Sequence, residues 1–164
     1  MIVNLPFFNE IDSDSLTDYY EVDIDFEQRS IELDINFNEE SIEPAKLLIL
    51  KSYLDDLPGI INVAQTEIDN DFKNGEDVKE FLDFHTEELD KDELENLLKD
   101  ADKNLSVEQQ ILSVLKLRRI GFYPDEEDEL FAVLDFIIDE DISQYILVVK
   151  MNSDKAVDHI TMES

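Results

Sequence analysis

Two early segments alternate between apolar and polar residues. Tyr20, Val22, Ile24 and Phe26 share one face of a strand, and Ile31, Leu33, Ile35 and Phe37 share one face of the next. Between them lies Glu27-Gln28-Arg29-Ser30, so the pattern predicts an antiparallel hairpin. A loop of two or four residues keeps both apolar sets on one side. A three-residue loop without a bulge would turn one set outward, because side chains alternate faces along a strand.

The period then changes to that of a helix. Ser41 and Pro44 read as a cap and an early helical position. Leu47, Leu50, Leu54 and Leu57 follow at helical spacing up to a break at Pro58-Gly59. Ile61, Ala64, Ile68 and Phe72 form a second stripe, ended by Asn74-Gly75. Val78, Phe81, Leu82 and His85 form a third, and Leu94, Leu97, Leu98 and Ala101 a fourth. Ser106 with Gln109 makes a capping-box pattern ahead of Ile111, Val114 and Leu115. Stripes of this width belong to helices facing a core, which makes packing the better reading than a cofactor site. His85 continues such a stripe and reads as a core or core-edge residue.

The last third returns to strand character over 117–123, 130–138, 145–151 and 157–162. Leu130-Phe131-Ala132-Val133-Leu134 is apolar on both faces, which predicts a central strand covered on both sides. Strands, then helices, then strands argue one α+β domain over residues 1–164. The expected fold is an antiparallel sheet, made of the N-terminal hairpin and the C-terminal strands, packed against a central set of four to five helices. No linker, low-complexity run or internal repeat divides the chain.

Composition narrows the function. Hydrophobic residues make up 43% of the 164 residues, enough for a packed core, so the chain is expected to fold despite its charge. That charge is extreme: 13 Lys and Arg against 43 Asp and Glu give a formal net of -30. A field of this sign repels nucleic acid and anionic lipid, both of which are bound by neutralising cations. Without cysteine there is no disulfide, thiol nucleophile or thiolate metal site, and His85 and His159 alone cannot build a zinc centre. The start, Met1 to Glu10, lacks the basic and apolar regions of a signal peptide, and no apolar run has membrane-spanning length. The expected location is cytoplasmic, with no membrane partner.

Three acidic features stand out. On the polar face of the first hairpin, Glu21, Asp23 and Asp25 face Glu32 and Asp34 across the ladder in either allowed register. Like charges placed opposite one another destabilise a strand pair. Solvent, a basic side chain such as Arg119, or a basic partner would offset that cost. The second feature is the run Asp125, Glu126, Glu127, Asp128 and Glu129 after Tyr123-Pro124, a charged connector beside an aromatic suited to anchoring a partner. The third, Asp100 to Ile111, echoes a calcium loop, but Leu105 stands at the turn glycine and Ile111 at the bidentate glutamate. Ser106 there reads as a helix cap instead. No glycine-rich phosphate loop or nucleophile elbow is present, and no carboxylate pair is singled out by spacing.

One resemblance covers most of the chain. Arg119-Ile120-Gly121-Phe122-Tyr123-Pro124, Phe131-Ala132-Val133-Leu134-Asp135-Phe136, Tyr145 to Lys150, the ending Ile160 to Ser164 and the hairpin Tyr20 to Phe26 are similar to a bacterial family of unknown function, the one numbered two thousand and four. The resemblance implies a small acidic domain with no assigned chemistry, of a type associated with toxin–immunity loci. Together these readings point to a non-catalytic acidic protein-binding module without cofactor or bound metal. It would use Glu21, Asp23, Asp25, Glu32, Asp34, Tyr123 and Asp125 to Glu129 against a basic protein, such as a nuclease-like toxin. The alternatives are an acidic housekeeping protein with weak cation binding and an enzyme working through paired carboxylates.

Overall fold

The computed structural model describes all 164 residues. Two short strands, β1 (Ile2–Leu5) and β2 (Asn9–Asp12), open the chain as a hairpin the alternation analysis did not anticipate. Each has four residues, too short to show a period, and the turn between them places Phe7 and Asn9 at positive φ. Val3, Leu5 and Ile11 are buried, so this hairpin joins the main core.

The long hairpin follows as β3 (Tyr19–Phe26) and β4 (Arg29–Asn36). Its register pairs Tyr20 with Ile35, Val22 with Leu33 and Ile24 with Ile31, so the apolar sets do share one face. The loop is the two-residue form. Glu27 and Gln28 sit at φ of 49° and 66°, the left-handed geometry of a tight primed turn, although neither residue favours it.

Five helices come next: α1 (Pro44–Leu54), α2 (Leu57–Asn74), α3 (Asp77–Glu88), α4 (Lys91–Leu97) and α5 (Val107–Val114). Ser41 does not cap α1. The N-cap is Glu43, whose extended backbone feeds Pro44 into the first turn without a side-chain cap. Leu57 opens α2 rather than closing α1, because Pro58 is tolerated in a first turn and Asp56 caps the start by accepting from Gly59. The Ser106–Gln109 capping box forms as the sequence suggests, and a second one, Asp90 with Glu93, starts α4.

The chain ends in β5 (Lys116–Phe122), β6 (Ala132–Ile137), β7 (Ile146–Met151) and β8 (Val157–Glu163). They extend the hairpin into a six-stranded sheet of order β3-β4-β5-β6-β7-β8. The fold is α+β, and the sheet is mixed: β4 and β5 run parallel, all other pairs antiparallel. The parallel joint arises where the chain returns from its five-helix excursion.

One continuous core joins Leu33, Ile35, Ile120, Phe122, Leu134, Leu147 and Val149 of the sheet to Leu50, Tyr53, Ile61, Phe81 and Ile111 of the helices. The ring of Tyr53 stacks on Phe131, meets Phe122 edge-on, and its hydroxyl donates to the carbonyl of Asn152. The expectation that β6 is covered on both sides needs correction. Val133 and Ile137 point to the opposite face, where side chains of neighbouring strands shield them instead of helices.

Because Glu27 and Gln28 hold a conformation costing L-residues roughly 1–2 kcal/mol each, the double substitution Glu27→Asn, Gln28→Gly is expected to stabilise the protein. The gain should be about 1 kcal/mol after the added flexibility of glycine. Urea unfolding should show a higher midpoint with an unchanged slope. A lower midpoint would mean the hairpin does not close through this turn.

Candidate functional site

On the face turned away from the helices, the six strands align their outward side chains in rows. One row runs Asp23, Glu32, Arg119, Asp135, Val148, Thr161. The next runs Glu21, Asp34, Gly121, Val133, Lys150, His159. Acid therefore dominates the β3–β4 side, a single guanidinium stands at the centre, and Val133 and Val148 with Lys150, His159 and Thr161 fill the far side.

The centre is an ion-pair network. Arg119 Nε donates to Asp34 Oδ2 at 2.6 Å and Nη2 to Asp34 Oδ1 at 2.7 Å, a bidentate grip. Nη1 donates to Asp135 Oδ2 at 3.2 Å, and Nη2 also donates to the hydroxyl of Tyr123 at 2.8 Å. Asn36 Nδ2 supplies Asp34 with a further bond at 2.6 Å. Burial works against the charge of Arg119, but the hydrogen bonds and attraction from Asp34 and Tyr123 outweigh it and raise its pKa. For Asp135 the balance is reversed: burial pushes the carboxyl above its ordinary range against the pull of Arg119.

Gly121 makes the grip possible. It is the neighbour of Asp34 in the register, and Arg119 must cross it to reach that carboxylate. A Cβ on residue 121 would stand 2.4 Å from Nη2 and 2.8 Å from Cζ of Arg119. This glycine is needed for space, since its φ is not positive.

Beside the network the face dips into an open cleft of about 370 Å³ between Tyr123, Glu126, Val133, Val148, Lys150 and Glu163. Lys150 is paired with Glu163 at 3.1 Å, and that carboxyl is held below its ordinary value, first by the Thr161 hydroxyl and then by Lys150. The cations of the cleft are thus already engaged.

The eleven residues singled out from the sequence divide in two. Asp34 lies on the expected face but is fully buried and committed to Arg119, so it is no part of the solvated surface. Asp125 is also committed: its Oδ2 accepts from the backbone of Asn38 at 2.8 Å and Glu39 at 3.0 Å, anchoring the acidic loop beside the end of β4. Glu126 accepts from Asn38 Nδ2 at 2.5 Å and Asp128 from the backbone of Ser153, with Asp128–Leu130 forming a single 3-10 turn. Tyr123 is half-buried against Arg119. By contrast Asp23, Asp25, Glu21 and Glu32 enter no ion pair. Asp23 stands directly opposite Glu32, and the hydroxyl of Tyr19 donates to Glu21 at 3.1 Å and to Glu32 at 3.4 Å. Burial and the neighbouring carboxylates drive the Tyr19 phenol upward.

Elsewhere, Asp102 in the 100–111 segment accepts from the backbone of Asn104, while Lys103 reaches Leu98 O and Gln110. No group of three or more Asp, Glu and His side chains is arranged to hold a metal ion. His85 is fully buried: Nδ1 donates to Phe81 O at 2.7 Å and Nε2 accepts from Ser143 Oγ at 2.7 Å, with Tyr145 N donating to the same oxygen. This neutral ring braces α3 to the loop before β7, and burial lowers its pKa. Ser143 and Gly121 carried no sequence signal for these roles, because both act on partners distant in the chain.

No family model, curated protein or solved structure matches this chain.

Removing Arg119 strands the buried Asp34, so Arg119→Met should cost about 3–5 kcal/mol. Gly121→Ala should cost a large part of that by displacing the guanidinium, yet little in the Arg119→Met background. A double-mutant cycle by urea unfolding measures this; additive costs would show that Gly121 does not act through Arg119.

His85 gives a pH signature. Its folded pKa lies below the ordinary 6.5, so its contribution is complete above that value and declines as pH falls through and below it. The stability advantage of the wild type over His85→Leu should therefore narrow between about pH 7 and pH 5. A constant gap across that window would contradict a selectively buried neutral imidazole.

Proposed function

We propose that this chain is a non-catalytic module that binds a basic protein through the acidic β3–β4 side of its open sheet face. The observation that carries this reading is the uneven use of cations on that face. Arg119 serves Asp34 and Asp135, and Lys150 serves Glu163, whereas Glu21, Asp23, Asp25 and Glu32 are left without a counter-charge. Facing carboxylates cost a strand pair roughly 0.2–1 kcal/mol each. A partner bringing Lys or Arg gains attraction and relieves that repulsion at once.

The rest of the surface supports the same partner chemistry. Glu127 and Glu129 crowd one another so closely that a shared hydrogen bond and mutual repulsion raise the Glu129 carboxyl. The exposed part of the loop, Glu126 to Glu129, flanks the cleft beside Tyr123 and extends the acidic field. A formal net charge of -30 steers cationic surfaces inward over long range. Nucleases that bind phosphate backbones carry such basic surfaces. An immunity-type role, covering a toxin's nucleic-acid site, fits this chemistry.

Replacing Glu21, Asp23, Asp25 and Glu32 with Gln or Asn preserves shape and leaves the Asp34–Arg119 pair intact. The variant should unfold about 1 kcal/mol less readily. Its association with the basic partner purified from the native host should slow by about tenfold and lose most of its salt dependence. Stopped-flow association at several NaCl concentrations is the measurement. An unchanged rate in a folded variant would end this reading.

A further inference from the structure

Strand β3 is an open edge, and its backbone and side chains make the same demand. It is one of the two edges of the sheet and pairs with β4 over eight residues without a register shift. In a two-residue hairpin the residues flanking the loop, here Phe26 and Arg29, exchange both hydrogen bonds, and bonded pairs then alternate along the ladder. The bond from Phe37 N to Asp18 O continues that phase at the far end. The N–H and C=O groups of Tyr19, Glu21, Asp23 and Asp25 consequently point away from β4, toward the open edge. Glu21, Asp23 and Asp25 among them are the residues whose side chains form the acidic row.

The apolar layer is also incomplete along this edge. Ile31, Leu33 and Ile35 of β4 are buried, but Tyr20, Val22, Ile24 and Phe26 of β3 are only half-buried. The opposite edge differs: β8 has α2 and α3 packed against it, and its pairing with β7 is broken by a bulge. An exposed, regular edge with a half-covered apolar side is a template for another strand. A second copy of this chain is a poor occupant, since its own acidic row would meet this one.

We infer that β3 takes up an extended segment of the basic partner as a seventh strand, with Lys or Arg on the open face alternating with apolar residues on the core face. The inference rests on the acidic-face reading above and adds the mode of contact, strand addition with backbone hydrogen bonds. Glu21, Asp23 and Asp25 would each supply a carboxylate and two backbone groups to the incoming strand. The apolar residues of that strand would close over Tyr20, Val22, Ile24 and Phe26.

The test uses a capped, fluorescently labelled peptide matching the eight residues of β3, Lys alternating with Val, and two N-methylated derivatives of it that are isomers of one another. One isomer carries N-methyl groups on the Lys residues, the other on the Val residues, so charge, composition and mass are equal. Antiparallel addition directs the Lys amides at β3, and parallel addition directs the Val amides. One isomer, and only one, should therefore bind at least about tenfold more weakly than the parent in fluorescence anisotropy. In hydrogen exchange by NMR, the parent peptide should slow the amides of Tyr19, Glu21, Asp23 and Asp25. Equal binding of all three peptides, abolished in the Glu21, Asp23, Asp25 and Glu32 amide variant, would overturn strand addition and leave the acidic-face reading standing. Failure of the parent peptide to bind at low ionic strength would overturn both.

Discussion

A fully buried carboxylate, Asp34, and the one guanidinium that answers it set the arrangement of this sheet. Asp34 lies on β4 and Arg119 on β5, the only parallel joint, separated by the whole helical excursion. Such a pair is weak evidence for stability, because desolvation cancels much of the attraction. It is strong as a register device. Sliding β5 by one residue would send Arg119 into the helix-facing core and leave Asp34 buried and unpaired. Gly121 completes the device by leaving open the one path along which the side chain crosses.

The same pair divides the open face into two regimes. From Arg119 across to Glu163, positive and negative groups are matched, and Val133 and Val148 are shielded between them. On the β3 side Glu21, Asp23, Asp25 and Glu32 form no ion pair, and like charges face each other. A chain with 13 basic and 43 acidic residues cannot neutralise every carboxylate. Arg119 sits where acid is buried, at Asp34 and Asp135, since a desolvated charge left unpaired costs far more than an exposed one. The uncompensated surface is thereby pushed to the edge, where a partner can reach it.

How much of this was legible in the sequence depends on distance along the chain. The facing of Tyr20, Val22 and Ile24 against Ile31, Leu33 and Ile35 followed from period-two alternation, and the capping box at Ser106 from spacing alone. The loop length did not, because Glu27 and Gln28 carry none of the chemistry that announces a left-handed turn. The β1–β2 hairpin was hidden by its short strands. Glu32 and Asp34 are indistinguishable by alternation, yet one is half-exposed and the other buried. The difference is made by β5, 85 residues further on. The doubly apolar Leu130-to-Leu134 stretch misled in the opposite sense, since the stems of cross-strand neighbours shield an outward face as effectively as a helix does.

Glu32 marks the boundary between the two regimes. It lies opposite Asp23 on one side and is in register with Arg119 on the other. Arg119 nevertheless turns from it toward Asp34, because the buried carboxylate has no water to fall back on and Glu32 does. That choice follows from solvation rather than distance, and it keeps Glu32 available. A cation arriving from outside meets the acidic row without competing for Arg119, whose tightest partner is already sealed from solvent. Stability and recognition are thus assigned to different carboxylates on one face, so the β3 row can carry unrelieved repulsion while the joint between β4 and β5 stays fixed.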